Sequence, residues 1–206
     1  MRRTSWEDAE RALTSIPPAR EPEPSLARAA VALILRDGLA GLELLFIRRA
    51  EHEADPWSGQ MGFPGGRAES GDADLRQTAT RETLEEIGID LARDGAFLGA
   101  LDEVRAMARM RPLNLVIAPH VFRLAGPAEA AAGPEVTSVH WLPLDEIRQD
   151  RWISTMDYAY KGATLQFPCL RYDGLVIWGL TFRMFTAFCA RLVAAAPASG
   201  SEARPA

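Results

Sequence analysis

Stretches of apolar residues divide the first two thirds of the chain into a series of predicted strands. Two continuous apolar runs, residues 29–35 and 42–47, lie on either side of Asp37-Gly38 and predict two neighbouring strands joined by a turn. Residues 97–102 and 115–124 predict two more strands of similar character. The pattern therefore predicts four strands in this part of the chain.

The later part of the chain predicts mixed elements. Residues 135–144 predict a strand that enters a short helix, and residues 177–193 predict a terminal helix whose two arginines argue against a membrane span. Residues 103–111 are polar and rich in Arg and Met, so we expect a mobile loop there. Residues 151–168 carry aromatic side chains without clear periodicity, and we interpret them as a lid or a wall of the substrate site.

The domain organisation follows from the two ends of the chain. We expect an N-terminal helix and linker at residues 1–27, one domain at residues 28–193 and a disordered tail at residues 194–206. Ser5 and Asp8 have the spacing of a capping box at the start of the N-terminal helix. Because a proline-rich linker follows this helix, we expect it to be an appendage to the domain.

The stretch from residue 63 to residue 89 carries the chemistry. Its second half predicts a helix, with Asp72 or Asp74 placed to cap the N-terminus and Gly88 placed to end it. Before this helix, Gly65 and Gly66 allow a sharp turn and a close approach of the backbone to another group. Taken alone, a double glycine is more often a simple tight turn; beside this helix it suits a phosphate-bearing substrate.

Three glutamates of the predicted helix share one face. Glu82, Glu85 and Glu86 fall within about 100° of one another at 100° per residue, and Arg81 is the cation beside them in this run. Such carboxylates repel one another by roughly 0.2–0.5 kcal/mol per helical pair. A solvated face is the simpler explanation of each residue singly, but together they favour a site for a hard divalent cation such as Mg²⁺.

These residues resemble a known signature. The chain is similar to the Nudix hydrolase family, and to its coenzyme A pyrophosphatase subgroup in particular, on the following residues, which together are hereafter called the box: Phe63-Pro64-Gly65-Gly66, Glu69, Asp72, Asp74-Leu75, Thr78-Ala79, Arg81-Glu82, Glu85-Glu86 and Gly88-Ile89. From Gly66 to Arg81 there are fifteen steps, one more than in the general family pattern but the same as in this subgroup. Thr83 stands where an aliphatic residue is usual.

The resemblance implies a fold and a reaction. The fold is an α/β/α Nudix sandwich, with a mixed β-sheet between helices. The reaction is metal-dependent hydrolysis of the pyrophosphate bond in a nucleoside diphosphate linked to another moiety. Mg²⁺ or Mn²⁺ held by Glu82, Glu85 and Glu86 would neutralise the pyrophosphate and activate a water molecule. Arg81 would orient Glu82, and Glu86 or Glu135 would accept the proton; for Glu135 a solvated loop position is an equal alternative.

The resemblance also implies a substrate site at Gly65, Gly66 and Arg67. Arg48 resembles the arginine of a motif in the same subgroup; it is either a phosphate ligand or an ordinary surface arginine. Asp55 and Trp57 depart from the subgroup, which carries a basic residue and a histidine at these positions. Trp57 could stack on a base or simply pack, and Asp55 disfavours a 3′-phosphate. We therefore expect dephospho-coenzyme A, or another ADP-linked compound, to be cleaved at least as well as coenzyme A.

Composition narrows the class of partner. The net charge of −5 argues against a surface that coats nucleic acid, and the N-terminus shows no signal peptide, so we expect a cytoplasmic protein that binds a small molecule and neither nucleic acid nor membrane. Cys169 and Cys189 are expected to be buried thiols. The oligomeric state stays open.

Three alternative functions remain open at this stage. One is a Nudix pyrophosphatase for ADP-ribose or sugar nucleotides, or for nucleotide sanitising. The second is a non-catalytic binding module that keeps the fold. The third is an isomerase of isoprenoid diphosphates, which would need a catalytic cysteine in place of the distant Cys169 and Cys189.

Overall fold

The computed structural model of this chain describes residues 2–53, 57–108, 110–126 and 129–196. The helices of these residues are α1 (Trp6–Thr14), α2 (Leu75–Ile87), α3 (Leu91–Asp94), α4 (Leu144–Ile147) and α5 (Gly179–Ala194). The strands are β1 (Ala27–Gly38), β2 (Gly41–Arg49), β3 (Met61–Gly62), β4 (Gly65–Arg67), β5 (Gly95–Ala100), β6 (Val104–Ala108), β7 (Arg111–Leu124), β8 (Val136–Pro143), β9 (Ile153–Tyr160), β10 (Ala163–Tyr172) and β11 (Leu175–Trp178).

The main sheet is mixed and is organised around β1. Its central order is β3-β2-β1-β7-β5, with β8 paired to β2, β4 to β1 and β6 to β7. Strands β1 and β7 run parallel over a long register from Ala27 opposite Leu115 to Leu35 opposite Arg123, whereas the other pairs are antiparallel. The two strands predicted on either side of Asp37-Gly38 are therefore confirmed as the neighbours β1 and β2.

Both faces of this sheet are covered, which explains the continuous apolar runs. Alternate residues of β1 enter two separate clusters: Leu33 belongs to the cluster that includes α1 and α5, and Ile34 belongs to the cluster that includes α2. Phe185 and Phe188 of α5 are fully buried in the first cluster, and Ile87 of α2 in the second. The arrangement confirms the predicted α/β fold with a mixed sheet between helices.

The N-terminal helix is more than an appendage, which corrects that expectation. Ser5 caps α1 and forms the predicted capping box with Asp8. The inner face of α1, however, packs on α5 and buries Ala9, Ala12 and Leu13 in the larger core cluster. The amphipathic pattern of a short helix gives no information about its partner, so the sequence predicted the helix but not its docking.

Two stretches for which the sequence predicted no strand form strands in the structure. The stretch 103–111, expected to be a mobile loop, contains β6, which pairs with β7 from Val104 to Ala108. The stretch 151–168, interpreted as a lid or wall, forms the hairpin β9–β10, which continues into β11 as a second, three-stranded antiparallel sheet. Long exposed side chains on hairpins obscure the alternation that would have revealed these strands.

The C-terminal helix also differs at its start. Ile177 and Trp178 belong to β11, and α5 begins at Gly179, whose positive φ of 63° follows the end of that strand. Helix α5 extends through Ala194, and residues 197–206, most of the tail expected to be disordered, lie outside the described residues. Among the described helices, none combines the length and the apolar character that crossing a membrane demands.

Candidate active site

Helix α2 positions the glutamates, and its ends are those that the sequence predicted. Asp74 is the N-cap and accepts a hydrogen bond of 2.8 Å from the backbone N–H of Gln77. Gly88 ends the helix in the left-handed conformation, with φ of 71°. Thr83 is fully buried and donates its hydroxyl hydrogen bond to the carbonyl of Ala79 at 2.7 Å, which explains how a threonine replaces an aliphatic residue here.

Glu86 is the buried carboxylate of the site. Its Oε2 accepts a hydrogen bond of 2.8 Å from the backbone N–H of Gly65, and its Oε1 lies 3.8 Å from the Arg49 guanidinium. Burial raises the pKa of Glu86 to about 7, although the Gly65 N–H and the Arg49 charge act in the opposite direction. A group with this pKa can hold or release a proton near neutrality, as a general base must.

Arg81 connects residues that precede α2 to the glutamates of that helix. Its guanidinium donates two hydrogen bonds of 3.1 Å to Asp72, one of 3.0 Å to Glu82, one of 3.1 Å to Glu85 and one of 3.1 Å to the carbonyl of Arg67. The paired guanidinium lowers the pKa of Asp72 well below its usual range, and Asp72 raises the pKa of Arg81. Of the two candidate caps, Asp72 is therefore the partner of Arg81.

The two glycines are required by close approach. At Gly65, where φ is +151°, a Cβ would lie 2.2 Å from the carbonyl oxygen of Ala30 in β1. At Gly66, a Cβ would lie 2.4 Å from the carboxylate of Glu82. Strand β4 thus passes between β1 and the acidic face of α2, where there is no room for a side chain. The double glycine is therefore more than a simple tight turn.

Glu135 reaches the site because its loop is bound to the C-terminal end of α2. The backbone N–H of Gly133 donates to the carbonyl of Glu86 at 2.8 Å, and the N–H of Ala131 donates to Ile87 at 2.9 Å. The carbonyl of Glu135 accepts from Ala50 at the end of β2 at 2.8 Å. These bonds place the carboxylate of Glu135 close enough to raise the pKa values of its acidic neighbours on α2.

Glu82 lies between these groups. Burial raises its pKa, Arg81 lowers it, and the charges of Glu85 and Glu135 raise it further. Glu85 is the outermost of the three helical glutamates, with 57% of its side chain exposed against 5% for Glu86. The three glutamates on one helical face therefore form a gradient from solvent to interior.

The chemistry of the donor set fits a divalent cation. Oxygen donors with surplus negative charge are what Mg²⁺ and Mn²⁺ prefer, and Glu82, Glu86 and Glu135 repel one another in its absence. Among the residues described by the structure, however, no three Asp, Glu, His or Cys side chains stand in a formed metal site. Glu82 and Glu85 are instead directed to the Arg81 guanidinium.

The structure places Arg49, rather than Arg48, beside the box. Arg49 lines a cavity of about 320 Å³, hereafter the cradle cavity, together with Gly65, Gly66 and Arg67. Arg48 lines a different cavity, with Asp157 and Arg171 of the second sheet. The pairing of β2 with β8 is irregular between these two arginines, and their side chains line different cavities.

Trp57 stands where two cavities meet. It lines the cradle cavity and also a second cavity of about 240 Å³, hereafter the aromatic cavity, and its indole Nε1 donates to the carbonyl of Met107 at 3.3 Å. The predicted substrate-binding position of Trp57 is thus adjacent to Gly65, Gly66 and Arg67. Asp55, predicted to disfavour a 3′-phosphate, lies outside the described residues.

The cysteines have no place in this site. Both are free thiols; Cys169 is buried in the second sheet, and burial raises the pKa of Cys189 on α5 to about 12. A thiol with that pKa is protonated at neutral pH and is a poor nucleophile. Nothing in the geometry therefore favours the isoprenoid diphosphate isomerase.

The chain belongs to the NUDIX domain family, because the model of this family matches residues 26–161. The match contains residues 63–89, Glu135 and the part of the cradle cavity that precedes α5. It ends directly after β9, so β10, β11 and all of α5 lie beyond it. The family predicted from the sequence is therefore confirmed. Nudix hydrolases as a family use divalent metal ions.

Relatives with curated sequences agree with this assignment. The chain is 30% identical over 143 residues to an uncharacterized Nudix hydrolase, NudL, of Yersinia pestis (strain Pestoides F), covering 67% of this chain and 66% of that protein. It is 42% identical over 108 residues to an uncharacterized protein, C14C4.10c, of Schizosaccharomyces pombe, covering 50% of this chain and 32% of that protein. The chain thus spans from about a third to just under two thirds of the length of these relatives.

One solved structure shares the fold over nearly the whole chain. A MutT/nudix family protein from Enterococcus faecalis superposes with a TM-score of 0.54 at 15% identity, covering 94% of this chain and 76% of the other. At this identity the likeness concerns the fold alone.

Proposed function

We propose that this protein hydrolyses the pyrophosphate bond of a nucleoside diphosphate linked to another moiety. The observation that carries the proposal is the buried carboxylate of Glu86, bonded to the Gly65 N–H at 2.8 Å and 3.8 Å from Arg49, at the edge of a cavity lined by Arg49 and Arg67. Two guanidinium groups and exposed backbone suit an anionic diphosphate, and the neighbouring carboxylates suit the counter-charge that it brings.

The residues divide the work by position. Arg49 and Arg67 bind the anionic oxygens of the diphosphate, and the Gly65-Gly66 backbone lets the phosphates approach the acidic face of α2. Glu86 or Glu135 accepts the proton of the attacking water, since both carboxylates stand beside the cradle. Arg81 does not touch the substrate; it fixes the orientation of Glu82 through the 3.0 Å hydrogen bond.

Glu82, Glu85 and Glu86, with Glu135 beside them, would hold Mg²⁺ or Mn²⁺. When bound, the cation supplies charge neutralisation of the diphosphate and a lowered pKa of water. The chain's own contribution is the surplus of negative charge: burial and mutual repulsion raise the pKa values of Glu82 and Glu86, so a cation that relieves both is strongly favoured.

The finer assignment of substrate is a coenzyme A-like or other ADP-linked compound. Its support is the extended box and the similarity of residues 44–48, Gly59-Gln60 and 177–179 to the coenzyme A pyrophosphatase subgroup. Hydrolysis of ADP-ribose, of sugar nucleotides or of damaged nucleotides is the alternative within the same family. A non-catalytic binding module is the alternative outside catalysis.

A product screen tests the proposal. The purified full chain is incubated with Mg²⁺ and, separately, with coenzyme A, dephospho-coenzyme A, ADP-ribose, dinucleoside polyphosphates, sugar nucleotides and nucleoside triphosphates, and the products are identified by mass spectrometry. We expect cleavage between two phosphorus atoms, with dephospho-coenzyme A cleaved at least as well as coenzyme A. A tenfold preference for coenzyme A would contradict the prediction that Asp55 disfavours a 3′-phosphate. Binding without any cleavage would favour the non-catalytic module.

A further inference from the structure

We propose that the aromatic cavity binds the moiety that the diphosphate carries, and that this moiety is a flexible, apolar chain such as an alkyl or acyl group. The inference rests on the proposed pyrophosphatase function and adds the chemical class of the group beyond the diphosphate.

The cavity has a composition unlike the cradle beside it. Its wall is formed largely by aromatic and sulfur-containing side chains, namely those of Trp57, Met107, Met110, Tyr158, Phe167 and Trp178. The polar side chains of its described lining are Gln60, the Tyr158 hydroxyl and Arg183, and Arg183 is exposed to solvent. A charged or heavily hydroxylated group would therefore lose its water here with few hydrogen bonds in return.

Three of these aromatic side chains form a cluster outside both core clusters. The ring centroids of Tyr158 and Trp178 lie 5.4 Å apart, and those of Phe167 lie 5.9 Å from each of them. All three rings are only partly buried, and Met107 and Met110 are exposed. Apolar side chains gathered at a cavity rather than in the core mark a place that an apolar ligand covers.

The position of the cavity identifies its occupant. The aromatic cavity and the cradle cavity share Trp57, Gln60 and Leu180 as lining residues. A group attached to a diphosphate in the cradle thus enters the aromatic cavity directly. The wall comes largely from β9, β10, β11 and α5, and most of these elements lie beyond the part of the chain that the family model matches.

The geometry favours a flexible chain over a nucleobase. A base needs a free ring face for stacking and partners for its polar edge. The rings of Tyr158, Phe167 and Trp178 are tilted or edge-on to one another, and the Trp57 N–H already donates to Met107. Methionine side chains, by contrast, adapt to an irregular apolar surface.

The test is a series of alkyl esters of ADP, from methyl to hexyl, cleaved by the full chain with Mg²⁺. We expect kcat/KM to rise by about fourfold per methylene, the equivalent of ~0.8 kcal/mol, and by at least about a hundredfold over the series. In Phe167→Asp, which introduces a charge into the wall, the ratio of the hexyl to the methyl ester should fall below about tenfold. Phe97→Asp, at an exposed phenylalanine outside this wall, should keep the ratio of the parent protein.

A second measurement separates this inference from the proposed function. Tryptophan fluorescence of the metal-free protein is titrated with the same esters; Trp57 and Trp178 line the aromatic cavity, and the other three of the five tryptophans do not. Tighter binding of the hexyl ester that is lost in Phe167→Asp supports the inference even where no ester is cleaved. Equal binding and equal kcat/KM for all esters would overturn it, as would a preference for dinucleoside polyphosphates, which place a base in the cavity. Absence of any metal-dependent cleavage would overturn the proposed function alone.

Discussion

The carboxylate of Glu86 and the backbone N–H of Gly65, 21 residues apart in sequence, are joined by a hydrogen bond of 2.8 Å. This bond connects the glycine turn to the acidic helix, so the phosphate-facing backbone and the acidic face of the helix have a fixed relative position. Moving the buried Glu86 carboxylate away would also leave the Gly65 N–H without its acceptor, which costs free energy. This pair is the centre of the proposed site.

Replacing Gly65 or Gly66 by alanine should affect stability and catalysis differently. In Gly66→Ala, the new Cβ meets only the end of the Glu82 side chain, so we expect the free energy of unfolding to stay within about 1 kcal/mol while kcat/KM falls by about a hundredfold. In Gly65→Ala, the Cβ meets the backbone of β1 at a positive φ, so we expect a loss of more than about 2 kcal/mol.

Urea unfolding and steady-state kinetics measure the two effects. Gly71→Ala is the control, since a Cβ there has no heavy atom within 4 Å. If Gly66→Ala hydrolysed the substrate as fast as the Gly71→Ala control, the close approach of β4 to Glu82 would have no catalytic meaning.

Arg81 should matter for stability as well as for orientation. In Arg81→Ala, the carboxylate of Asp72, with 5% of its side chain exposed, loses two hydrogen bonds, and we expect a loss of about 2–4 kcal/mol in the free energy of unfolding. Arg93→Ala breaks the exposed pair with Asp94 and should leave the free energy of unfolding nearly unchanged, because solvent screens that pair. Equal losses in the two variants, measured by urea unfolding, would remove Arg81 from the framework of the box.

The capping box of α1 predicts a pH-dependent contribution to stability. Burial alone would raise the pKa of Asp8, but hydrogen bonds from Ser5 and Arg2 lower it from 3.8 to about 2. Because the folded-state pKa is lower than the unfolded one, the ionised Asp8 stabilises the protein above about pH 4, and this contribution is lost as the pH falls toward 2. Asp8→Asn should therefore cost about 1 kcal/mol at neutral pH, progressively less as the pH falls below about 4, and nearly nothing below pH 2.

Unfolding at several pH values checks this prediction. Glu10→Gln, at an exposed carboxylate on the same helix, is the matched control and should follow the parent protein throughout. A constant difference between Asp8→Asn and the parent at every pH would show that the charge of Asp8 contributes nothing.

The two adjacent arginines of β2 should differ in their effect on catalysis. Arg49 lines the cradle cavity and Arg48 does not, so Arg49→Gln should lower kcat/KM by at least tenfold, the loss expected for one charged hydrogen bond to phosphate. Arg48→Gln should change kcat/KM less than threefold. The opposite order would mean that Arg48, which the sequence left open as a phosphate ligand or a surface arginine, binds the substrate in place of Arg49.

Much of the site could be predicted because it is local. The Asp74 cap, the Gly88 stop and the spacing of Glu82, Glu85 and Glu86 all act within one helix, where a period of 3.6 residues determines the neighbours. The double glycine is likewise a local signal of a backbone that must pass close to another element.

The remaining features depend on contacts between distant parts of the chain. Which of Arg48 and Arg49 lines the cradle cavity depends on the direction of their side chains at the end of β2. The position of Glu135 depends on the hydrogen bonds that tie its loop to the end of α2. The aromatic cavity requires a second sheet whose strands have mostly exposed, irregular patterns. The sequence indicated a lid or a substrate wall at residues 151–168, but not this sheet or the cavity that it lines.

The most direct test of the central claim is the rate of Glu86→Gln with Mg²⁺, on the compound that the product screen identifies. Glutamine can still accept the hydrogen bond from the Gly65 N–H, so the fold should persist, with a urea midpoint close to that of the parent. The account predicts a fall in kcat of at least about a thousandfold, against no change for Glu10→Gln, because the glutamine can neither accept the proton nor supply the charge. Hydrolysis by Glu86→Gln at the parental rate would contradict the assignment of the active site.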